Sequence, residues 1–402
     1  MKNIFFVGFA LIFLSSFSQK RISGMVTDEN NQPLEGASVY INNTTIGVVS
    51  DSLGNFSLIA RKGNYDLVVS FLGHKTVYTK INTNSKVDFL NIYLIPEVNV
   101  LEEVVLKKTR YNTEWKNNFF TFKKTFLGWS KLAQTCKILN PKVLHFDYDN
   151  ETSTFSAEAR EPLKIEHKGL GYLITYDLVK FSITNNRLEY LGYTKYKKLK
   201  GSKRKEKRWK ENRLKAYNGS IMHFARSLRS KKLKKEGFIV NQFKRLINHE
   251  RPTEEQFKNA RILIRQSKNV NLYKKIYNPV TALDSAIVIL QKFNLPKVND
   301  IVYRKNVPYK YILTKSKDII LLRFLDYISI TYLNEPQEEN YPFRSHNDQS
   351  KVQTSIMTLL AKYAILDSSG AIINPHDTFV DGYWAFEQFA DTLPLNYMPT
   401  KD

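Results

Sequence analysis

The chain has 402 residues, enough for two domains that each bury a core of their own. Its hydrophobic fraction of 42% and aromatic fraction of 13% exclude a chain that is disordered over most of its length. The 61 Lys and Arg residues against 38 Asp and Glu residues give a net charge of +23, which attracts anionic partners and repels cationic ones.

The first 18 residues have the pattern of a secretory signal peptide. Lys2 supplies the positive start, residues 4–14 the apolar stretch, and Ser16-Phe17-Ser18 a cleavage site of small-x-small form. A membrane anchor needs about 20 apolar residues, and this run is shorter. We therefore expect export, with no transmembrane segment in the mature chain.

Residues 22–95 have the pattern of a small all-β domain. Short alternating apolar runs are separated by turn signals that contain Gly or paired Asn residues, which is typical of a sandwich or barrel. The predicted strands cover residues 22–26, 37–41, 55–59, 65–70, 75–80 and 87–94.

The motifs of this region carry a family resemblance. They are Gly24-x-Val26-x-Asp28, Pro33-Leu34-x-Gly36-Ala37-x-Val39, Ser50-Asp51-x-x-Gly54-x-Phe56 and Gly63-x-Tyr65-x-Leu67. The stretch resembles the carboxypeptidase regulatory-like domain, a transthyretin-like β-sandwich common in exported and outer-membrane proteins of Bacteroidetes-type bacteria. The resemblance implies a sandwich over residues 19–100 and a place in the periplasm or at the outer membrane of a Gram-negative envelope. His74 stands where that family usually has tyrosine, and we expect it to pack partly exposed.

Residues 101–105, Leu-Glu-Glu-Val-Val, resemble the segment that joins this sandwich to the plug of TonB-dependent receptors. Too few residues follow for a receptor-sized barrel, so we expect a linker at 101–112 rather than a transporter. The sequence then predicts a larger α+β domain over residues 113–402.

The predicted elements of this second domain follow in chain order. Strands are expected at 143–148, 152–159, 172–184 and 187–199, with Asn185-Asn186 as a hairpin turn between the last two. Helices are expected from Ser220 to a cap at Gly237, from the capping box at Thr253 to residue 264, and over 281–293. Later strands are expected at 309–314, 319–333, 352–366 and 371–373, an exposed loop at 334–350 and a helix at 383–390.

Motifs such as Leu170-Gly171-Tyr172 and Gly219-Ser220-x-x-His223-Phe224 resemble the C-terminal part of envelope proteins that carry the same sandwich. That likeness implies no activity. We expect His223 to be a packing or capping residue. The only cysteine, Cys136, excludes an internal disulfide, and its apolar neighbours favour a buried thiol over a nucleophile.

The sequence contains no complete motif of the catalytic classes compared below. Zinc carboxypeptidases hold the metal with His-x-x-Glu and a distant histidine, and none of the seven histidines here has Glu at the third following position. His249-Glu250 begins like a zincin motif, but Thr253 stands at the position of the second histidine and Pro252 interrupts the helix. We therefore predict no catalytic, cofactor or metal site.

The positive charge is concentrated in residues 195–215, which hold 12 Lys and Arg residues against two Glu, together with Tyr196 and Trp209. This stretch is either a solvent-exposed connection between a strand and a helix, or a contact surface for anionic lipid headgroups, lipopolysaccharide phosphates or an acidic envelope protein. Interleaved aromatics would also suit single-stranded nucleic acid, but export argues against that partner. The candidate anion-contact residues are Lys203, Arg204, Lys205, Lys207, Arg208, Lys210 and Arg213.

Taken together, these features predict an exported, non-enzymatic envelope protein that acts as a binding or assembly module. Two alternatives stay open: a hydrolase with an unrecognised site in the second domain, and a structural accessory of a TonB-dependent outer-membrane complex. Three or more convergent His, Asp or Glu side chains in a deep pocket would favour the enzyme.

Overall fold

The computed structural model describes residues 19–85, 87–97, 111–267, 270–316, 319–342, 351–367 and 369–399. The predicted signal peptide at 1–18 and the receptor-like segment at 101–105 lie outside the described residues. The predicted domain boundaries stay predictions.

Two sheets form the N-terminal β-sandwich, in the strand orders β4-β1-β7 and β3-β2-β5-β6. Ile22, Val39 and Leu67 are fully buried between them. The predicted sandwich is confirmed, and the sequence pattern misses only β3, a three-residue strand with partly exposed side chains. The strands are β1 (Gln19–Thr27), β2 (Ser38–Ile41), β3 (Gly47–Val49), β4 (Asn55–Arg61), β5 (Asn64–Ser70), β6 (Val77–Asn82) and β7 (Leu90–Tyr93).

A six-stranded antiparallel sheet opens the second, mixed α and β region. Its longest strand, β12, pairs with β13 along one edge and with β11 and β10 along the other. Asn185 and Asn186 have φ of 51° and 62°, which confirms the predicted two-residue turn between β12 and β13. The elements are α1 (Thr113–Leu127), β8 (Cys136–Ile138), β9 (Leu144–Asp149), β10 (Thr154–Ala159), β11 (Leu163–His167), β12 (Tyr172–Thr184) and β13 (Arg187–Lys198).

The rest of the region is built on a five-stranded sheet, β15-β14-β18-β19-β21, and a three-stranded sheet, β16-β17-β20. Their buried side chains form a second core with Phe224 and Leu228 of α3. The strands are β14 (Phe238–Ile247), β15 (Val298–Arg304), β16 (Leu313–Ser316), β17 (Ile319–Leu322), β18 (Tyr327–Pro336), β19 (Val352–Leu359), β20 (Ala364–Leu366) and β21 (Thr378–Gly382). The helices are α2 (Lys203–Tyr217), α3 (Ile221–Arg229), α4 (Glu254–Gln266), α5 (Ala282–Gln291) and α6 (Tyr383–Glu387).

Several predicted boundaries in this part are wrong. The helix that starts after Ser220 ends at Arg229, because the chain turns at Lys231 with φ of 60° and does not continue to Gly237. The strand predicted at 319–333 is two strands, broken at Asp326, whose φ is 58°. Likewise, the strand predicted at 352–366 is β19 and β20.

Four further boundaries differ in the same way. The segment at 309–314 begins as a turn of 3₁₀ helix after Pro308, and residues 371–373 contribute one bridge rather than a strand. The helix predicted at 383–390 stops at Glu387, where Gln388 has φ of 53°. Residues 334–336 extend β18 instead of beginning a loop, and residues 343–350 of that predicted loop lie outside the described part of the chain. The capping box at Thr253 is confirmed.

The sandwich contacts the second region through its turn at residues 42–45. Thr194 N–H of β13 donates to Asn42 Oδ1 at 2.8 Å, and Tyr196 N–H donates to Thr44 O at 3.0 Å. Asn43 N–H returns a hydrogen bond to Thr194 O at 2.8 Å. The turn therefore pairs with the outer edge of β13 as a short extra strand.

Side chains reinforce this contact at two points. Tyr78 stacks on Tyr193 with ring centroids 4.0 Å apart, and its hydroxyl donates to Asp177 at 2.6 Å. Lys195 Nζ donates to Ser38 Oγ at 2.7 Å. The sandwich and the second region are thus held together by backbone pairing, aromatic stacking and polar bonds.

Replacing Asn42 by Ala tests this docking. The substitution removes the acceptor of the N–H group of Thr194, a residue that is 1% exposed, and we expect a loss of about 1–3 kcal/mol in the free energy of unfolding. Urea denaturation measures this loss. Asn91→Ala, at an exposed position of β7, is the control and should leave the stability within about 0.5 kcal/mol. Equal stability of the two variants would contradict the docked arrangement.

Candidate anion-binding site

Helix α2 carries the predicted anion-contact residues, and a buried tryptophan fixes its position. Trp209 is 5% exposed, and its Nε1–H donates to Lys168 O at 2.7 Å. Gly171 lies against the indole with φ of +70°, and a Cβ at this position would come within 2.2 Å of the ring. Only glycine fits both the left-handed backbone and the close approach.

Two more side chains of α2 bind the same turn between β11 and β12. Asn212 Nδ2 donates to Gly169 O at 2.8 Å, and Arg213 Nε donates to Leu170 O at 2.7 Å. With Trp209, these residues lie three and four positions apart, on one face of the helix. The opposite face of α2 is therefore turned to solvent.

Six of the seven predicted contact residues are exposed on α2, and we call these six the α2 cationic face. At about 100° per residue, Lys203, Arg204 and Lys207 lie roughly 120° to 160° around the helix axis from Trp209. Arg213 differs, since it is half-buried and anchors the helix. Anion binding by these residues stays a prediction. The six are Lys203, Arg204, Lys205, Lys207, Arg208 and Lys210.

Beside α2 lies a cleft of about 250 Å³, where the sandwich, β12, β13 and the C-terminal segment meet; we call it the junction cleft. Three cationic side chains line it: Lys198, Lys210 and Arg213. Within the described ranges, no Asp or Glu is among its lining residues. The remaining lining residues are Thr45, Tyr172, Pro394, Asn396, Tyr397 and Met398.

The walls of the junction cleft are held by specific bonds. The Arg213 guanidinium lies 4.2 Å from the centroid of the Tyr172 ring. Asn396 and Thr45 bond reciprocally, Thr45 N–H to Asn396 Oδ1 at 3.1 Å and Asn396 Nδ2 to Thr45 Oγ1 at 2.7 Å. Tyr397 lines the same cleft, and burial raises the pKa of its hydroxyl to about 12.

Sequence reasoning finds only part of this cleft. Lys210 and Arg213 are among the predicted contact residues, and Lys198 lies in the same basic run. Tyr172 and Asn396 are missed, because they reach the cleft from distant parts of the chain with no local signal. The structure thus adds a concave site to what the sequence presents as a charged stretch.

Four carboxyl side chains interact in the second region: Glu335, Glu338, Glu387 and Asp391. Burial raises the pKa of Asp391 to about 8, and repulsion from Glu338 adds to the shift, while a hydrogen bond from Ser130 Oγ opposes it. Desolvation, together with repulsion from Asp391, holds the pKa of Glu387 well above its usual range. An unrecognised hydrolase would find its acid or base here. None of the four carboxyls lines the junction cleft. None lines a second, more apolar cleft, whose walls include Leu246 and Ile301.

Cys136, His167 and His223 are buried side chains that pack in the interior. Cys136 is 4% exposed, which confirms the predicted buried thiol, and burial raises the pKa of this thiol. His223 packs its ring against Tyr217 and Phe238, with centroids 4.7 and 4.8 Å apart, as expected for a packing residue. Burial lowers the pKa of His167 to about 4, so that this ring is neutral.

Two kinds of feature are missing from the part of the chain that the structure describes. In it, no three or more His, Cys, Asp or Glu side chains are grouped so that they could hold a metal ion. None of its helices combines the length and the apolar character that crossing a membrane requires.

The pKa of Asp391 leads to a pH-dependent stability. An unfolded Asp has a pKa of about 3.9, whereas Asp391 keeps its proton in the folded chain up to a pH of about 8. The folded state thus binds more protons in this window, and its stability falls as the pH rises from about 4 to about 8. Asp391→Asn should flatten this decline.

Urea denaturation at pH 5 and pH 8 measures the effect. Asp88→Asn, at an exposed carboxylate, is the control and should keep the decline of the unaltered chain. An Asp391→Asn variant that declines as steeply as the control would contradict a protonated Asp391.

Comparisons with known proteins find matches to the sandwich region of the chain. Residues 22–106 match the family model described as CarboxypepD_reg-like domain. The chain is 35% identical over 98 residues to TonB-dependent receptor SusC of Bacteroides thetaiotaomicron, covering 24% of this chain and 9% of that receptor. It is 29% identical over 114 residues to TonB-dependent receptor P39 of Formosa agariphila, covering 26% of this chain and 11% of that receptor. The chain therefore spans about a tenth of the length of these relatives.

Solved structures give weaker likenesses. A DUF3823 family protein from Bacteroides ovatus matches with a TM-score of 0.18 and 10% identity, over 46% of this chain and 83% of that one. One from Parabacteroides merdae matches with a TM-score of 0.16 and 13% identity, over 44% and 80%. Scores this low carry no argument, so the assignment depends on the family model and the two receptors. The sandwich at the N-terminus of this chain is a CarboxypepD_reg-like domain.

Proposed function

We propose that this chain is an exported, non-enzymatic protein of a bacterial cell envelope that acts as a binding or assembly module. Its contact surface is the α2 cationic face, and its partner is an anionic envelope component such as a lipid headgroup, lipopolysaccharide or an acidic protein. The observation that carries this proposal is the exposure of six cations on a helix that Trp209 anchors.

The physical basis is electrostatic. Each Lys or Arg near an anionic membrane surface contributes about 1 kcal/mol of attraction, and the effect falls off within a Debye length. A helix fixed by buried bonds presents these charges together, so that little conformational entropy is lost when the partner binds. The net charge of +23 adds long-range attraction.

The envelope location is supported by the relatives. Both curated matches are TonB-dependent receptors, and they share the sandwich with this chain. The apolar stretch at residues 4–14 supports export. We place the protein in the periplasm or at the outer membrane.

A non-enzymatic role is supported by the kind of domain that matches, which is regulatory-like rather than catalytic. A hydrolase remains the alternative, with its general acid or base among the four interacting carboxyl side chains that include Asp391. Hydrolysis of peptide or ester substrates that is abolished by Asp391→Asn, in a variant that still folds, would favour that alternative over ours.

A second candidate function is that of a structural accessory to a TonB-dependent outer-membrane complex. The shared sandwich favours it, because this chain and the receptors match over the stretch that forms this domain. Co-purification of a receptor with the tagged chain from envelope membranes would support this function.

Charge reversal on α2 tests the main proposal. We expect the variant Lys203→Glu, Arg204→Glu, Lys207→Glu, Arg208→Glu to bind vesicles that contain phosphatidylglycerol at least tenfold more weakly than the unaltered chain, because the local field changes sign. Cosedimentation at low and high salt measures the binding. We expect the unaltered chain to bind these vesicles more weakly as the salt concentration rises.

The matched control reverses four exposed lysines outside α2, and its net charge equals that of the α2 variant. They are Lys75, Lys80, Lys137 and Lys164. Equal loss of binding in both variants would show a diffuse charge effect and contradict a contact at α2, as would unchanged binding in the α2 variant.

A further inference from the structure

We infer that the junction cleft binds the phosphate monoester group of a small phosphorylated ligand and that the bound ligand contacts both domains. This inference rests on the proposed function, which it deepens by naming the chemistry of one site. The α2 cationic face acts on a surface from outside, whereas the junction cleft is concave and admits a single group.

The charge of the cleft favours a dianion. Lys198, Lys210 and Arg213 surround it, and no acidic side chain is among its described lining residues. A phosphate monoester carries a charge of about −1.5 to −2 at pH 7 and three acceptor oxygens, whereas a carboxylate carries one negative charge. Three cations therefore match a phosphate better than they match a carboxylate.

The donors of the cleft are also arranged for such a group. The Arg213 side chain is fixed by its bond to Leu170 O and its stacking on Tyr172, so that its position is set before a ligand arrives. Tyr172 and Tyr397 also line the cleft, and a tyrosine hydroxyl is a neutral donor at pH 7. Oxygen acceptors on a ligand would meet charged and uncharged donors together.

The size of the cleft limits the ligand. Its volume of about 250 Å³ is below the roughly 300–1,000 Å³ of pockets for drug-sized molecules. It holds a phosphate and a short stem, either as a free phosphomonoester or as the headgroup of a lipid. Pro394 and Met398 give apolar contacts for the stem.

The position of the cleft couples the ligand to the docking of the two domains. Thr45 belongs to the sandwich and Asn396 to the C-terminal segment, and their reciprocal bonds close one side of the cleft. Arg226 holds that segment by donating to Leu395 O and Tyr397 O, each at 3.0 Å. Because Thr45 is part of the cleft wall only when the sandwich is docked, a ligand that contacts Thr45 stabilises the docked state.

Isothermal titration calorimetry of the full chain with sn-glycerol 3-phosphate tests the inference, with glycerol as the uncharged comparison. We expect saturable binding of the phosphate ester and none of glycerol. The double variant Lys198→Ala, Lys210→Ala should bind at least tenfold more weakly. The control Lys203→Ala, Lys207→Ala removes the same charge from α2 outside the cleft, and its affinity should change less than twofold.

Vesicles distinguish the two sources of the phosphate. If the physiological ligand is a lipid headgroup, free glycerol 3-phosphate should displace the chain from phosphatidic acid vesicles. If the ligand is a free phosphomonoester, glycerol 3-phosphate should bind in the calorimeter but should not displace the chain from these vesicles. Absence of calorimetric binding, or equal weakening in both double variants, overturns the inference. Loss of vesicle binding on reversal of α2 would still support the proposed function in that case, so the two proposals fail separately.

Discussion

The outer edge of β13 is covered by one turn of the sandwich, and the rest of the arrangement depends on that contact. Thr194 and Tyr196 donate from this edge to Asn42 and Thr44, so that backbone groups which would otherwise face solvent are paired. An uncovered edge strand invites pairing with other chains. The turn therefore both protects the sheet and sets the orientation of the sandwich.

The same turn positions the C-terminal segment. Asn43 O accepts from Leu395 N–H at 2.7 Å, and Thr45 and Asn396 bond next to it. The junction cleft forms between this segment and α2, which Trp209 holds from the other side. The cationic helix α2 is thus one wall of a defined site, and its charges act on a partner without first having to be ordered.

Local chemistry explains how much of this follows from the sequence. The hairpin at Asn185-Asn186 and the capping box at Thr253 are predictable, because a few adjacent residues specify them. Composition marks residues 195–215 as cationic but does not reveal α2, whose apolar anchor is Trp209 and little else before Ala216. The junction cleft is beyond such reasoning, since Thr45 and Asn396 are 351 residues apart and meet only through tertiary packing.

Hydrogen–deuterium exchange at single-residue resolution tests the docked edge most directly. The amides of Thr194 and Tyr196 point away from β12 and are bonded only through the sandwich turn, so we expect slow exchange at both in the full chain. The amides of β13 that pair with β12 are the internal reference. Rapid exchange at Thr194 and Tyr196, with the reference amides still protected, would show an undocked sandwich and contradict this account.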